Sequence, residues 1–102
     1  MNEIRIPIPQ KKISEFCQHW KIVEFSLFGS ILREDFHPDS DVDVLVTFSP
    51  EAEVSLFDLV KMQIELNAIF ERNVDLVEKA SLRNPYRRRE ILQSAEKIYG
   101  SR

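Results

Sequence analysis

The chain has 102 residues, 43% of them hydrophobic and 30% charged, with a formal net charge of -3. That is enough material for one modest core and too little for a second globular unit, so residues 1–102 are read as a single domain, and the balance excludes a disordered chain. A slightly acidic total gives no electrostatic reason to bind a nucleic-acid backbone, so no direct nucleic-acid partner is expected.

Met1 to Ile8 reads as a short lead-in, since Pro7 and Pro9 resist regular structure, and Pro9 suits the first position of a helix. From Gln10 to Trp20 the residues Ile13, Phe16, Cys17 and Trp20 follow the i, i+3, i+4, i+7 series of one helix face. Cys17 lies on that stripe and is read as a small buried apolar residue, while His19 lies off it and is read as solvated. Ile22 to Phe28 is a run of branched and aromatic residues of strand length, ended by Gly29 and Ser30. Its lack of strict alternation suits a strand covered on both faces or one at the rim of the sheet.

Ile31 to Ser40 reads as a short helical turn followed by a polar loop. Asp43 to Phe48 returns as a second strand, with Val44, Val46 and Phe48 on one face and Asp43, Leu45 and Thr47 on the other. Asp41 extends the second face. Two carboxylates about 4 to 6 Å apart repel by up to roughly 4 kcal/mol at a protein-like effective dielectric, so the pair implies a cation beside it. The short connection predicts antiparallel pairing of these two strands within a mixed sheet.

A long helix is expected from about Ser55 to Phe70, opened by Pro50, Glu51 and Glu53. Its apolar residues Leu56, Leu59, Val60, Met62, Ile64, Leu66 and Ile69 make a wide stripe. Such a stripe suits a helix laid across a sheet, and it also suits a helix that meets another protein. Asn73 to Val77 reads as a third strand with Asp75 at its centre, where an unpaired buried charge is costly. Asn84 and Pro85 cap a last helix that runs through Ile91 and Leu92. Ala95 to Tyr99 fits either a continuation of that helix or a short edge strand. The basic cluster Arg83, Arg87, Arg88 and Arg89 reads as a solvated surface, or as a patch that steers a nucleotide or an acidic partner.

Several chemistries are excluded by count. Gly29 and Gly100 are the two glycines, so neither a Walker loop nor a dinucleotide-binding glycine motif is present. His19 and His37 match no zinc spacing, and one cysteine rules out an intrachain disulfide. No apolar run approaches the ~20 residues of a membrane span and no leader-like segment opens the chain, so no membrane partner and a cytoplasmic setting are expected.

The pattern Gly29, Ser30, ten residues, Asp41, Val42, Asp43 resembles the signature of the DNA polymerase beta-like nucleotidyltransferase superfamily. With Arg33 three residues after the serine and SDVDVLV as the second strand, the chain resembles a minimal nucleotidyltransferase, the antitoxin class called MNT or MntA. Relatives often carry glycine after the arginine, where this chain has Glu34. The resemblance implies an α/β (α+β) fold, a small mixed sheet with helices packed on it. It also implies Asp41, Asp43 and Asp75 as catalytic metal ligands for two Mg2+ ions, and Gly29, Ser30, Arg33 and Ser40 as nucleotide-binding residues. The implied reaction moves AMP from ATP to a hydroxyl, a tyrosine of a cognate HEPN-domain toxin, and silences that toxin within a hetero-oligomer. Two other readings stay open: a module that neutralises the toxin by occlusion alone, and an enzyme acting on a small metabolite.

Overall fold

The computed structural model describes residues 7–29 and 40–100. Helix α1 (Gln10–Trp20) buries Ile13, Phe16 and Cys17, so the stripe seen in the sequence is its packing face. Pro9 stands at the N-cap, one position before its expected place, and its carbonyl accepts from the Ile13 N–H. Lys21, left-handed at φ 59°, ends the helix and turns the chain directly into β1 (Ile22–Phe28). The proposed turn and loop over residues 31–39 lie outside the described residues.

Among the described residues, β1, β2 (Val42–Phe48), β3 (Val74–Glu78) and β4 (Glu96–Gly100) form one sheet in the order β3-β2-β1-β4. β1 is antiparallel to β2 and β4, and β2 is parallel to β3, which makes the sheet mixed as expected. Ala95 to Tyr99 is thereby resolved: the segment forms an edge strand, because β1 offers it an unpaired edge. β3 begins and ends one residue later than the sequence suggested. Asp75 is therefore its second residue, near the mouth of the strand and exposed, and not a buried charge at its centre.

Helix α2 (Leu56–Phe70) starts with a capping box in which the Asp58 N–H donates to the Ser55 hydroxyl and the Ser55 N–H donates to the Asp58 carboxylate, each at 3.1 Å. Its wide apolar stripe is divided. Met62, Leu66 and Phe70 are buried, whereas Leu56 (80% exposed), Phe57 (81%), Val60 (57%) and Ile64 (63%) face outward. Helix α3 (Pro85–Ser94) is capped by the Asn84 side chain, which accepts from the N–H groups of Tyr86 and Arg87.

The main core lies on one face of the sheet. There Ile13, Phe16 and Cys17 of α1 and Met62, Leu66 and Phe70 of α2 pack on Phe25, Leu27, Val42, Val44, Val46 and Val74. On the opposite face Ile91 of α3 packs on Phe28 and Leu45. Alternation along β2 thus sends its valines into the larger core and leaves Asp43 on the α3 face. No helix among the described residues is long and apolar enough to cross a membrane.

Candidate active site

Gly29, Asp41, Asp43 and Asp75 meet at one end of the sheet because of how its strands run. β1 ends there, and β2 and β3 begin there. Asp43 stands opposite Phe28 on one side and opposite Asp75 on the other, so its neighbours across the sheet share its face. Asp43 is half-buried, and Asp41 and Asp75 are exposed. Asp41 stands directly before the first residue of β2, two positions ahead of Asp43.

The glycine is fixed to this place by the aspartate beside it. Gly29 has φ +76°, a left-handed conformation that side chains disfavour, and a Cβ built there would overlap the Asp43 carboxylate, with Asp43 Cγ at 3.1 Å. The backbone at the end of β1 therefore approaches the acid more closely than any other residue type allows. Ser30 and Arg33 fall outside the described residues. Ser40 is half-buried, directly before the pair of aspartates.

Four residues that motif reading passed over hold the acids in place. Arg72 donates from Nη1 to the Ser40 carbonyl at 3.4 Å, and the Asn73 carbonyl accepts from the Val42 N–H at 3.0 Å, so Asp41 is bracketed on both sides. On α2, Asn67 Oδ1 accepts from the Val74 N–H at 2.8 Å, and Gln63 Nε2 donates to the Val74 carbonyl. Both main-chain groups of the residue before Asp75 are thus engaged by one helix. For Gln63 and Asn67 the sequence signal is polarity on a helix that otherwise carries a wide apolar stripe; Arg72 and Asn73, between α2 and β3, carry none.

Among the described residues, no three His, Cys, Asp or Glu side chains are gathered closely enough to hold an ion by themselves. The donor set nevertheless suits magnesium, which takes oxygen ligands, keeps several waters, and uses one or two carboxylates together with substrate phosphates. Next to Gly29 an open cleft of about 820 Å³ continues over Phe28 and Ile91 to Arg87 on α3. That volume is in the range of small-molecule sites, roughly 300–1,000 Å³.

Comparison with known proteins gives the family of the chain. The nucleotidyltransferase domain family matches residues 10–98. A Methanocaldococcus jannaschii protein provisionally named as a protein adenylyltransferase is 31% identical over 91 residues, 89% of this chain and 90% of the relative. The protein adenylyltransferase MntA of Thermococcus cleftensis is 37% identical over 70 residues, 69% of each chain. Among solved structures, one provisionally described as a minimal nucleotidyltransferase superposes with a TM-score of 0.70 at 28% identity, covering 85% of this chain and 86% of that one. The MNT antitoxin in complex with a tri-AMPylated HEPN toxin from Shewanella oneidensis shares the fold, with a TM-score of 0.65 at 19% identity over 90% of this chain and 70% of the other.

Proposed function

The chain belongs to the nucleotidyltransferase domain family, and on that premise we propose that it is an antitoxin that moves AMP from ATP to a hydroxyl, a tyrosine, of a cognate HEPN-domain toxin. It is a nucleotidyl-transferring enzyme, and its curated relatives carry the name protein adenylyltransferase. The observation that carries the reading is the row formed by Gly29, Asp43 and Asp75. A glycine pressed on one carboxylate leaves backbone room for phosphate, and a second acid stands in register on the next strand.

Asp41 and Asp43 would hold Mg2+, with Asp75 serving a second ion; bound there, magnesium supplies positive charge for the triphosphate and acidifies the attacking hydroxyl. The residues do the rest. Asp75, on the outer side of Asp43, accepts the proton of the incoming hydroxyl. The hydroxyl oxygen bonds to the α-phosphorus as the bond to the bridging oxygen breaks, and pyrophosphate leaves with the electron pair. Gly29 and Ser40 would bind the phosphates, and the family motif assigns Ser30 and Arg33 to the same task. A cytoplasmic hetero-oligomer with the toxin is the form in which this works.

The test is transfer of label from ATP to the HEPN toxin by wild type and by an Asp41→Ala, Asp43→Ala variant. Loss in the variant is expected, and equal labelling by both ends the proposal. The outward apolar face of α2 favours a second reading, neutralisation by occlusion. If the double variant still protects cells expressing the toxin, occlusion is the mechanism.

A further inference from the structure

We propose that Arg87 of α3, which lies outside the family motif, contacts the phosphate chain of the nucleotide and the pyrophosphate that leaves; this rests on the nucleotidyl-transfer reading above. The strand order β3-β2-β1-β4 places Asp75 on one side of Asp43 and Gly29 on the other. An in-line displacement with the acceptor hydroxyl on the Asp75 side sends pyrophosphate toward Gly29. The cleft shared by Gly29 and Arg87 opens on that side.

The four arginines of the basic cluster are not equivalent. Arg88 donates from Nη1 to the Lys79 carbonyl at 3.2 Å, and Arg83 and Arg89 are exposed outside this cleft. Arg87 alone of the four lines the cleft, and it makes no ion pair with a described residue. A guanidinium presents a planar fork of donors that matches phosphate oxygens. Glu90, one turn along α3, lines the same cleft and repels phosphate from its own vicinity. The charge pattern therefore assigns the phosphates to the Arg87 end, over the apolar floor of Phe28 and Ile91. As the bond from the α-phosphorus to its bridging oxygen breaks, Arg87 meets the negative charge that gathers on the departing pyrophosphate.

The experiment measures binding of ATP and of pyrophosphate, with magnesium present, by calorimetry, together with product inhibition of AMP transfer by pyrophosphate. Arg87→Gln is expected to weaken pyrophosphate binding about tenfold to a hundredfold, with partial recovery in Arg87→Lys and no change beyond about twofold in Arg83→Gln or Arg89→Gln. Wild-type affinity for pyrophosphate in Arg87→Gln overturns the proposal. So does an equal loss in all three glutamine variants, which reports only the net charge of the helix. If wild type binds neither ATP nor pyrophosphate, the nucleotidyl-transfer reading itself fails and takes this assignment with it.

Discussion

At the scale of single residues, Gly29 carries the most information for its size. Alanine there meets two penalties, a left-handed backbone and a methyl group in the space of the Asp43 carboxylate. The first costs about 1–2 kcal/mol, and the second displaces an acid to which the proposed function gives a magnesium ion. Gly29→Ala is expected to unfold at lower denaturant by that amount and to lose label transfer more completely than the stability change explains. Retained transfer at wild-type rate would show that Asp43 does not need its present position. Cys17 makes the opposite kind of prediction, an inert one. Burial pushes its thiol up to about 12, so the thiolate is scarce near neutral pH. Alkylation of Cys17 is expected to proceed only as fast as the domain opens, and rapid labelling under native conditions would contradict its place in the core. The sign of its pH effect follows. The neutral thiol's contribution to stability is full below the ordinary value of 9.0 and declines as pH rises toward 12.

At the scale of elements, α2 does two jobs that its composition does not separate. The outline of the helix was legible: Ser55 and Asp58 mark its start, and apolar residues run through it to Phe70. Which of those residues face inward was not. Apolar side chains at 56, 59, 60, 62, 64, 66 and 69 cover more than half the circumference, and only the sheet beneath decides that Met62, Leu66 and Phe70 are the buried ones. Leu66→Ala is expected to cost about 2–5 kcal/mol, whereas Phe57→Ser and Ile64→Ser stay within about 0.5 kcal/mol of wild type in denaturant titrations. The second job belongs to Gln63 and Asn67, which hold both main-chain groups of Val74 and so set where Asp75 begins. Asn67→Ala leaves the Val74 N–H without this acceptor and is expected to cost about 1–3 kcal/mol. Its distinctive outcome under the proposed function, which puts Asp75 on the acceptor side, is a fall in the rate of AMP transfer with ATP binding preserved. A variant with lowered stability and an unchanged rate would make the clamp purely structural.

At the scale of the whole molecule, what the sequence conveyed was local order and parity. Strand β1 ends at Phe28 as read, and alternation along β2 sets Asp43 on the face opposite the valines. What it did not convey depends on neighbours distant in the chain. Whether Glu96 to Gly100 is helix or strand turns on the vacant edge of β1, and which arginine reaches the cleft turns on how α3 lies on Phe28 and Leu45. The same holds for Glu24, an ordinary strand glutamate in the sequence that joins three separate parts of the fold. Its carboxylate accepts from Lys97 of β4 at 3.1 Å, lies 3.7 Å from Lys79 in the turn after β3, and accepts from the Thr47 hydroxyl of β2 at 3.5 Å. The hydrogen bond from Lys97, with the charges of Lys97 and Lys79 and the Thr47 hydroxyl, holds the Glu24 carboxyl below its ordinary range against a desolvation that raises it. A lowered carboxylate stabilises the fold above its unfolded value, and that contribution is lost as pH falls through the folded one. Because the group is partly exposed, screening limits the effect to about 1 kcal/mol or less. Glu24→Gln is therefore expected to be slightly less stable than wild type in urea titrations near neutral pH, and the gap is expected to close in acid below the carboxylate range and in high salt. A gap that persists unchanged in acid would mean that Glu24 acts through packing on β1 and β4, and that the edge strand is held by its backbone ladder alone.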